Sequence, residues 1–261
     1  MKICVLGNGI LAQDFERLDY VVLDGHFLDF KIEYVLDFDV IVNTHDYRCD
    51  DDGNISLSNM KKCNIDLPFL LSEFCESKNK RYVHISTADL YQSVICDCDG
   101  TCFLNEEGAC TEISKICADK SYGASKIMGE SSCNKKSLII RTKNMFNDEP
   151  VKENALFRAI TNTTPSKNEE SYSWTVDVIR GVIALLKSKQ YGIYNIASGG
   201  FISQAEICEK LEISGVAPII SNQGCKYIKV SNSKLMEHII PMDAMDNIPK
   251  CFKKLKDKLG E

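Results

Sequence analysis

The chain has 261 residues, 44% of them hydrophobic, which is enough for one large domain, or one domain with a small appendage, around a proper core. Its formal net charge is −6. Because nucleic acids and membrane surfaces are polyanions that favour clustered lysine and arginine, this balance argues against both as partners. The one basic cluster, KCFKKLKDK near the end of the sequence, has the spacing of an amphipathic closing helix.

The opening MKICVLGNG has too short an apolar run for a signal peptide, and no later run reaches the length of a membrane span. The sequence therefore predicts a cytoplasmic protein. Five of the thirteen cysteines lie within residues 96–117, at Cys96, Cys98, Cys102, Cys110 and Cys117. Their spacing lacks C-x-x-C pairs and a nearby histidine, so we predict no metal site there and expect thiols that act as small apolar side chains.

Strands and helices alternate along the chain. The predicted strands are KICVLG (2–7), YVVLD (20–24), DVIVN (39–43), RYVHIST (81–87), SLIIRT (137–142) and GIYNIAS (192–198). The predicted helices are ILAQDFERL (10–18), a segment over 60–78 interrupted near Pro68, SYGASKIMGESS (121–132), TVDVIRGVIALLKSK (175–189) and AEICEKLEI (205–213). Strands that are apolar on both faces and separated by helices indicate an α/β fold with a parallel sheet covered on both sides.

The first strand-to-helix turn carries the pattern G-x-G-x-x-A over residues 7–12, the context in which a dinucleotide fingerprint is found. The first glycine permits a tight turn, the second lets a pyrophosphate approach the helix N-terminus, and the alanine keeps the helix close to the sheet. We predict cofactor binding by Gly7, Asn8, Gly9, Ile10 and Leu11. The alternative is a structural glycine turn in a sheet without a cofactor.

Asp24 ends the second predicted strand. A carboxylate there can accept hydrogen bonds from the adenosine ribose hydroxyls and would repel a 2′-phosphate. No arginine stands beside Asp24, so NAD(H) is favoured over NADP(H) as the cofactor.

The stretch SYGASK places Tyr122 and Lys126 four residues apart, so in a helix the two side chains lie on one face. A cation beside a phenol lowers the phenol pKa from about 10, which would make Tyr122 a usable proton donor or acceptor. The alternative is an ordinary helix surface. Ser86 and Thr87, at the end of the fourth strand, deliver hydroxyls to the carboxyl edge of the sheet, where ligands of open α/β sheets bind.

These residues together suit hydride transfer to or from a carbon that carries oxygen. We expect Thr87 to hydrogen-bond the substrate oxygen and Tyr122 to exchange its proton. Lys126 would lower the pKa of Tyr122 and hold the nicotinamide ribose, while the cofactor carries the hydride.

The sequence resembles the extended short-chain dehydrogenase/reductases that act on nucleotide sugars, most of all the dTDP-4-dehydrorhamnose reductase branch. The motifs that carry the resemblance are MKICVLGNGILA, FLDF, DVIVNTHDY, Asn64, YVHISTADLYQ, NEEG, SYGASKIMGE, LIIRT, TVDVIRGVIALL, GIYNIASGG and VSNSKLMEHIIP. The resemblance implies a Rossmann-like cofactor domain (1–147 plus 175–200) and a small substrate-binding region (148–174 plus 201–261). It also implies the catalytic set Thr87, Tyr122 and Lys126.

The further site residues that we predict fall into two groups. The cofactor group adds Asn43, Thr44, Ser86, Tyr122 and Lys126 to the turn and to Asp24. The substrate group comprises Asp89, Asn144 and Trp174, although a turn role for Asn144 and a core role for Trp174 are alternatives.

The chain also departs from the family pattern. Thr44 and His45 stand where small residues are usual, which would narrow the cofactor pocket. Ala88 replaces the first acid of the pair that dehydratases carry, so dehydration is not expected.

Three functions are compatible with these motifs. The first is a reductase of a keto group on a nucleotide-linked sugar, of the 4-keto-6-deoxy type. The second is an epimerase that retains NAD, and the third is a non-catalytic subunit, against which the presence of Thr87, Tyr122 and Lys126 argues. Relatives often dimerise, so a homodimer is expected.

Overall fold

The computed structural model describes residues 1–27, 29–49, 53–91, 109–114, 116, 121–213 and 227–260. The chain divides into two compact units. The first comprises Met1–Leu90, Ile116–Arg141 and Leu185–Tyr194, and the second comprises Tyr91–Lys115, Thr142–Ala184 and Asn195–Glu261. Among the helices in these described ranges, none combines the length and the apolar character that crossing a membrane requires.

The strands are β1 (Ile3–Leu6), β2 (Val21–Leu23), β3 (Val40–Asn43), β4 (Arg81–Thr87), β5 (Leu138–Thr142), β6 (Met145–Phe146), β7 (Ser173–Trp174) and β8 (Gly192–Ile196). Six of them form one sheet in the order β2-β1-β3-β4-β5-β8. The pairs β1–β2, β1–β3 and β3–β4 are parallel. The six predicted strands and the Rossmann-like α/β class are therefore confirmed, while the short pair β6–β7 was not predicted.

The helices are α1 (Ile10–Arg17), α2 (Leu57–Lys61), α3 (Leu67–Ser77), α4 (Ser121–Ser132), α5 (Ala155–Thr161), α6 (Thr175–Lys187), α7 (Gln204–Lys210), α8 (Ser233–Met236) and α9 (Ala244–Leu259). Each predicted helix is present, including the amphipathic closing helix as α9. The short helices α5 and α8 lie in polar stretches and were not predicted.

The register of the sheet explains where polar groups gather. Leu6 lies opposite both Leu23 and Asn43, so β1, β2 and β3 end at the same edge. Asn43 lies opposite His84, and β4 continues beyond that pair to Thr87. Strands β1, β3 and β5 are buried along their whole length, which matches their apolar sequences.

Helices α2 and α3 are joined by a π-helical turn, Lys62–Asp66. Pro68 stands in the first turn of α3, directly after the π turn. The interruption predicted near Pro68 is therefore a wide turn just before it. Asn64 lies inside this turn, and π turns are frequent at functional sites.

Helix α4 is fixed to the sheet by a buried ion pair. The Arg141 guanidinium on β5 donates to both carboxylate oxygens of Glu130 on α4, at 2.6 to 3.2 Å. Both side chains are nearly inaccessible to solvent. On another side, α4 approaches the π turn so closely that a Cβ at Gly129 would collide with the Asn64 carbonyl oxygen. The position of α4 is thus set by one charge pair and one close backbone approach.

The second unit has its own apolar cluster, which includes Phe146, Leu156, Tyr172, Ile207 and Ile248. Asp177, in the first turn of α6, is buried and accepts hydrogen bonds from Arg180, from the Ser198 hydroxyl and from the Met242 backbone N–H. Burial raises the pKa of Asp177, and these donors oppose that rise. The carboxylate ties three segments of the unit together.

The two compact units are defined by packing, and the division into a cofactor domain and a substrate-binding region stays a prediction. Residues 175–184, which were assigned to the cofactor domain, pack in the second unit. That cofactor and substrate bind in separate regions stays a prediction. In the cysteine-rich segment, only Cys110 of the five cysteines lies within the described residues, and it is buried.

The ion pair between α4 and β5 can be tested by Glu130→Ala. This change leaves the buried guanidinium without its carboxylate, and we expect the free energy of unfolding to fall by about 3–5 kcal/mol. The matched control is Glu76→Ala, which removes the exposed partner of Lys136 (N–O distance 3.4 Å). That control should cost about 0–1 kcal/mol. Urea denaturation measures both values, and equal small losses would contradict the anchoring role of the buried pair.

Candidate active site

The glycine turn between β1 and α1 has the geometry that the sequence predicts. Gly7 has φ +132°, a conformation that favours glycine, and its N–H donates to the Leu23 carbonyl at 3.3 Å. A Cβ at this position would also collide with the Thr44 hydroxyl. The first glycine is therefore required by both its conformation and its surroundings.

Gly9 plays a different part in the same turn. It is exposed, it directly precedes α1, and a Cβ placed there meets nothing within 4 Å. No side chain caps this helix end, and no acidic residue lies in its first turn. The open space beside the helix N-terminus fits a phosphate group. Ile10 and Leu11 are buried, so only their backbone could serve such a group.

Asp24 is exposed directly after β2, as a ribose-binding role requires. The pKa of His45 is lowered to about 4 by burial and by His26, while the Asp24 carboxylate acts in the opposite direction. The Phe27 ring lies with its centroid 4.4 Å from that of His26 and 6.3 Å from that of His45. At neutral pH the His45 ring is uncharged and packs as an aromatic group.

The side chains of Asn43 and Thr44 are occupied within the protein. The Thr44 hydroxyl donates to the Leu6 carbonyl at 2.8 Å. The Asn43 amide donates to the Tyr82 hydroxyl at 3.2 Å and accepts from the His45 backbone N–H at 3.1 Å. Both side chains hold the loop after β3 against the sheet. Their predicted contact with a cofactor stays a prediction.

Tyr122 and Lys126 on α4 converge on a residue that the sequence analysis did not single out, Asp46. The Tyr122 hydroxyl lies 3.0 Å from each carboxylate oxygen of Asp46. The Lys126 ammonium lies 3.3 Å from Asp46 Oδ1 and donates to the Ile85 carbonyl at 3.3 Å. The predicted placement of the two side chains on one helix face is therefore confirmed.

The predicted effect of Lys126 on Tyr122 is wrong for this arrangement. The pKa of Tyr122 is raised well above 10, first by burial and then by the Asp46 carboxylate, which both repels a phenolate and accepts the phenol hydrogen bond. Arg48 opposes this rise. The physical reason is that the Asp46 carboxylate lies between Tyr122 and Lys126 and forms the ion pair with Lys126.

Arg48 completes a charged cluster around the phenol. Its guanidinium carbon lies 4.5 Å from the centroid of the Tyr122 ring, its Nε lies 3.3 Å from Asp46 Oδ2, and one terminal nitrogen lies 3.8 Å from Asp89. Burial opposes ionisation of Asp46, but Lys126 and Arg48 outweigh it, so the pKa of Asp46 lies below its ordinary value. The carboxylate is ionised at neutral pH.

Ser86 and Thr87 are both buried at the end of β4. The Thr87 hydroxyl oxygen accepts a hydrogen bond from the Asp89 backbone N–H at 3.1 Å, within a short 3₁₀ turn over Ala88–Leu90. Because the oxygen accepts that bond, the hydroxyl hydrogen can still be donated. Arg48 links this strand end to Asp46 through Asp89.

Asn144 and Trp174 belong to the second unit. Asn144 has φ +45°, and its side chain donates to the Ser171 carbonyl at 3.1 Å, which is a turn role. Trp174 is partly buried and packs against the apolar cluster of that unit. Both observations agree with the alternatives considered from the sequence, and contact with a substrate stays a prediction for each.

Three residues that hold the site were not assigned a role from the sequence. Asp46 and Arg48 follow β3 at the carboxyl edge, and that position was the available signal. Asn64 was noted only as part of the family resemblance. Its amide donates to the Tyr47 carbonyl and to the Ser125 hydroxyl, each at 2.9 Å, and accepts from the Tyr47 N–H at 3.0 Å. It joins the Asp46 loop to α4.

The fold is similar to those of several solved structures. It is similar to a dTDP-4-dehydrorhamnose reductase from Clostridium acetobutylicum, with a TM-score of 0.76, 20% identity and coverage of 100% of both chains. It is also similar to a UDP-glucuronic acid 4-epimerase from Bacillus cereus in complex with NAD, with a TM-score of 0.72, 18% identity and coverage of 98% and 99%.

A third neighbour is a dTDP-4-dehydrorhamnose reductase from Bacillus anthracis in complex with NADP, with a TM-score of 0.74, 16% identity and coverage of 97% and 98%. No family model matches the sequence. No curated protein matches it either. The resemblance inferred from the motifs is thus confirmed at the level of the fold.

The two glycines of the first turn should respond differently to alanine. We expect Gly7→Ala to lower the free energy of unfolding by about 1–3 kcal/mol, because the left-handed conformation and the Thr44 hydroxyl both resist a Cβ. Gly9→Ala is the matched control and should change stability by less than about 0.5 kcal/mol. Thermal and urea unfolding of the two variants provide the comparison, and a similar loss in both would show that space at Gly9 is equally restricted.

Proposed function

We propose that this protein is a reductase that uses a nicotinamide dinucleotide to convert a keto group on a nucleotide-linked sugar, of the 4-keto-6-deoxy type, to an alcohol. The proposal is supported by the convergence of the glycine turn, Tyr122, Lys126 and the Thr87 strand end on the carboxyl edge of one sheet. It is also supported by the fold shared with reductases and epimerases of nucleotide sugars.

In this proposal the cofactor is held by the backbone of the turn over residues 7–11, with the pyrophosphate beside Gly9 and the helix N-terminus. Asp24 would accept hydrogen bonds from ribose hydroxyls, which favours NADH over NADPH. When bound, the dihydronicotinamide supplies the hydride. The remaining work of the site, which is to orient the carbonyl and to deliver a proton, falls to the chain itself.

The observation that carries the proposal is geometric: the Tyr122 hydroxyl and the Lys126 ammonium lie together on one face of α4, 3.0 Å and 3.3 Å from the same carboxylate. The raised pKa of Tyr122 keeps the hydroxyl protonated at neutral pH, so Tyr122 is poised to donate a proton rather than to accept one. Reduction of a carbonyl consumes one hydride at carbon and one proton at oxygen, and Tyr122 can provide the proton while Thr87 donates a hydrogen bond to the same oxygen.

One observation favours a second candidate, a non-catalytic subunit. Asp46 contacts Tyr122 and Lys126 together, an arrangement that suits a site without turnover. The two candidates differ in a simple measurement, because only the enzyme oxidises NADH when a suitable keto sugar is added. That the protein works as a homodimer in the cytoplasm stays a prediction.

The proposed reaction is tested by adding a panel of nucleotide 4-keto sugars to the purified protein and following NADH and NADPH absorbance. We expect oxidation of NADH with at least one sugar, and we expect Tyr122→Phe to lower kcat by about 10²–10⁴-fold because the proton donor is lost. Dinucleotide affinity, measured by calorimetry, should remain close to that of the unmodified protein.

The control is Tyr191→Phe, which removes an exposed phenol just before the amino end of β8 and should leave turnover unchanged. Full activity in Tyr122→Phe would show that the proton comes from another group. Turnover of a nucleotide sugar without any added dinucleotide would support the epimerase, and dinucleotide binding without turnover of any sugar in the panel would support the subunit.

A further inference from the structure

We propose that Asp46 is a positioning residue that holds Tyr122 and Lys126 in a resting arrangement, and that a dinucleotide binds by displacing its carboxylate from both. This inference rests on the proposed function for the identity of the ligand. It concerns a residue to which the sequence analysis assigned no role.

Asp46 engages both donor groups while it is in place. The carboxylate accepts the Tyr122 hydroxyl through both oxygens and lies against the Lys126 ammonium. The Lys126 side chain is only 1% exposed, and its other acceptor is the Ile85 carbonyl. The Tyr122 hydroxyl has a single hydrogen, so a substrate carbonyl that accepts it must take the place of an Asp46 oxygen. The Lys126 ammonium has three hydrogens, but its side chain is inaccessible to solvent, so a ribose hydroxyl reaches it only when a neighbouring group such as Asp46 moves aside.

The loop is built so that the side chain of Asp46 can move while its backbone stays. Asn64 fixes the neighbouring residue, Tyr47, by hydrogen bonds to both its N–H and its carbonyl. The Asp46 side chain itself is 35% exposed, and the Arg48 side chain that holds its outer oxygen is 60% exposed. A rotation about the side-chain bonds of these two residues frees Tyr122 and Lys126 without rearrangement of the loop.

Protonation does not release the carboxylate under ordinary conditions. The charged groups that face Asp46 are Lys126 and Arg48, with Asp89 on the far side of Arg48 and the Tyr122 hydroxyl between them. The two cations keep the pKa of Asp46 below its ordinary value. Near neutral pH the carboxylate therefore acts as a charged competitor and is displaced by ligand.

This arrangement has a measurable consequence for affinity. The apparent dissociation constant equals the intrinsic one divided by the fraction of molecules whose site is free, so a competitor within the chain weakens binding. If Asp46 occupies the two donors in about nine of ten molecules, its removal tightens dinucleotide binding about ten-fold. The same removal makes the Tyr122 phenol more acidic, because its nearest negative charge is lost.

The experiment uses Asp46→Asn, which keeps the shape of the side chain but removes its charge, and Asp46→Ala, which removes the carboxylate altogether. Asp66→Asn is the matched control, since it neutralises an exposed aspartate that forms an ion pair with Lys61. Calorimetry gives the dissociation constants of NAD and NADH. Carbon-13 NMR of labelled tyrosine, with Tyr122→Phe for assignment, gives the titration midpoint of Tyr122 in the absence of any dinucleotide.

We expect both Asp46 variants to bind dinucleotide about ten-fold more tightly than the unmodified protein. We also expect the acid dissociation constant of the Tyr122 hydroxyl to increase at least about ten-fold in these variants. Asp66→Asn should change neither value. Weaker binding in the Asp46 variants would identify Asp46 as a ligand of the dinucleotide and overturn the inference, as would an unchanged Tyr122 midpoint.

Failure of the inference and failure of the proposed function give different results. If the unmodified protein binds dinucleotide and the Asp46 variants bind it no more tightly, the inference fails and the proposed function stands. If neither the unmodified protein nor any variant binds dinucleotide, the proposed function fails and displacement by dinucleotide fails with it. In that case the Tyr122 titration still decides whether Asp46 sets the acidity of the phenol.

Discussion

The parallel register of β1, β3 and β4 is the constraint from which the site follows. Because these strands run in the same direction, their carboxyl ends meet at one edge, and each end delivers a different group. The end of β1 supplies the glycine turn, the loop after β3 supplies Asp46 and Arg48, and the end of β4 supplies Thr87. Helix α4, which the Glu130–Arg141 ion pair holds to β5, then brings Tyr122 and Lys126 to the same edge.

The site is a balance of opposite charges around one phenol. Lys126 and Arg48 both form ion pairs with the Asp46 carboxylate, and Arg48 also pairs with Asp89. A single cation beside Tyr122 would have made it more acidic, but an intervening anion reverses the sign. The chemistry of a tyrosine–lysine pair therefore depends on the third group that lies between them, and here that group comes from a loop 76 residues away in sequence.

The sequence predicted most of the architecture, since short continuous apolar runs and helix spacing are local signals and each long element produced one. The glycine turn and the Tyr122–Lys126 pair were found in the same way, because their spacing is short. The acidity of Tyr122 was predicted in the wrong direction, because burial and the Asp46 carboxylate raise the pKa of the phenol. Both effects arise only from the packing of α4 against the loop after β3. The roles of Asn43 and Asn64 as ties between segments are equally non-local, and no spacing reveals them.

The π turn at Lys62–Asp66 also bears on how this chain tolerates insertions and deletions. An α-helix turns by about 100° per residue. The additional residue that a π turn accommodates therefore rotates α2 relative to α3 about the helix axis. Removing one residue there would restore a regular helix, yet it would swing either α2 or the Asn64 amide out of phase with the loop it secures. A one-residue deletion in this turn is therefore expected to disturb the site more than a substitution of one of its solvent-facing residues.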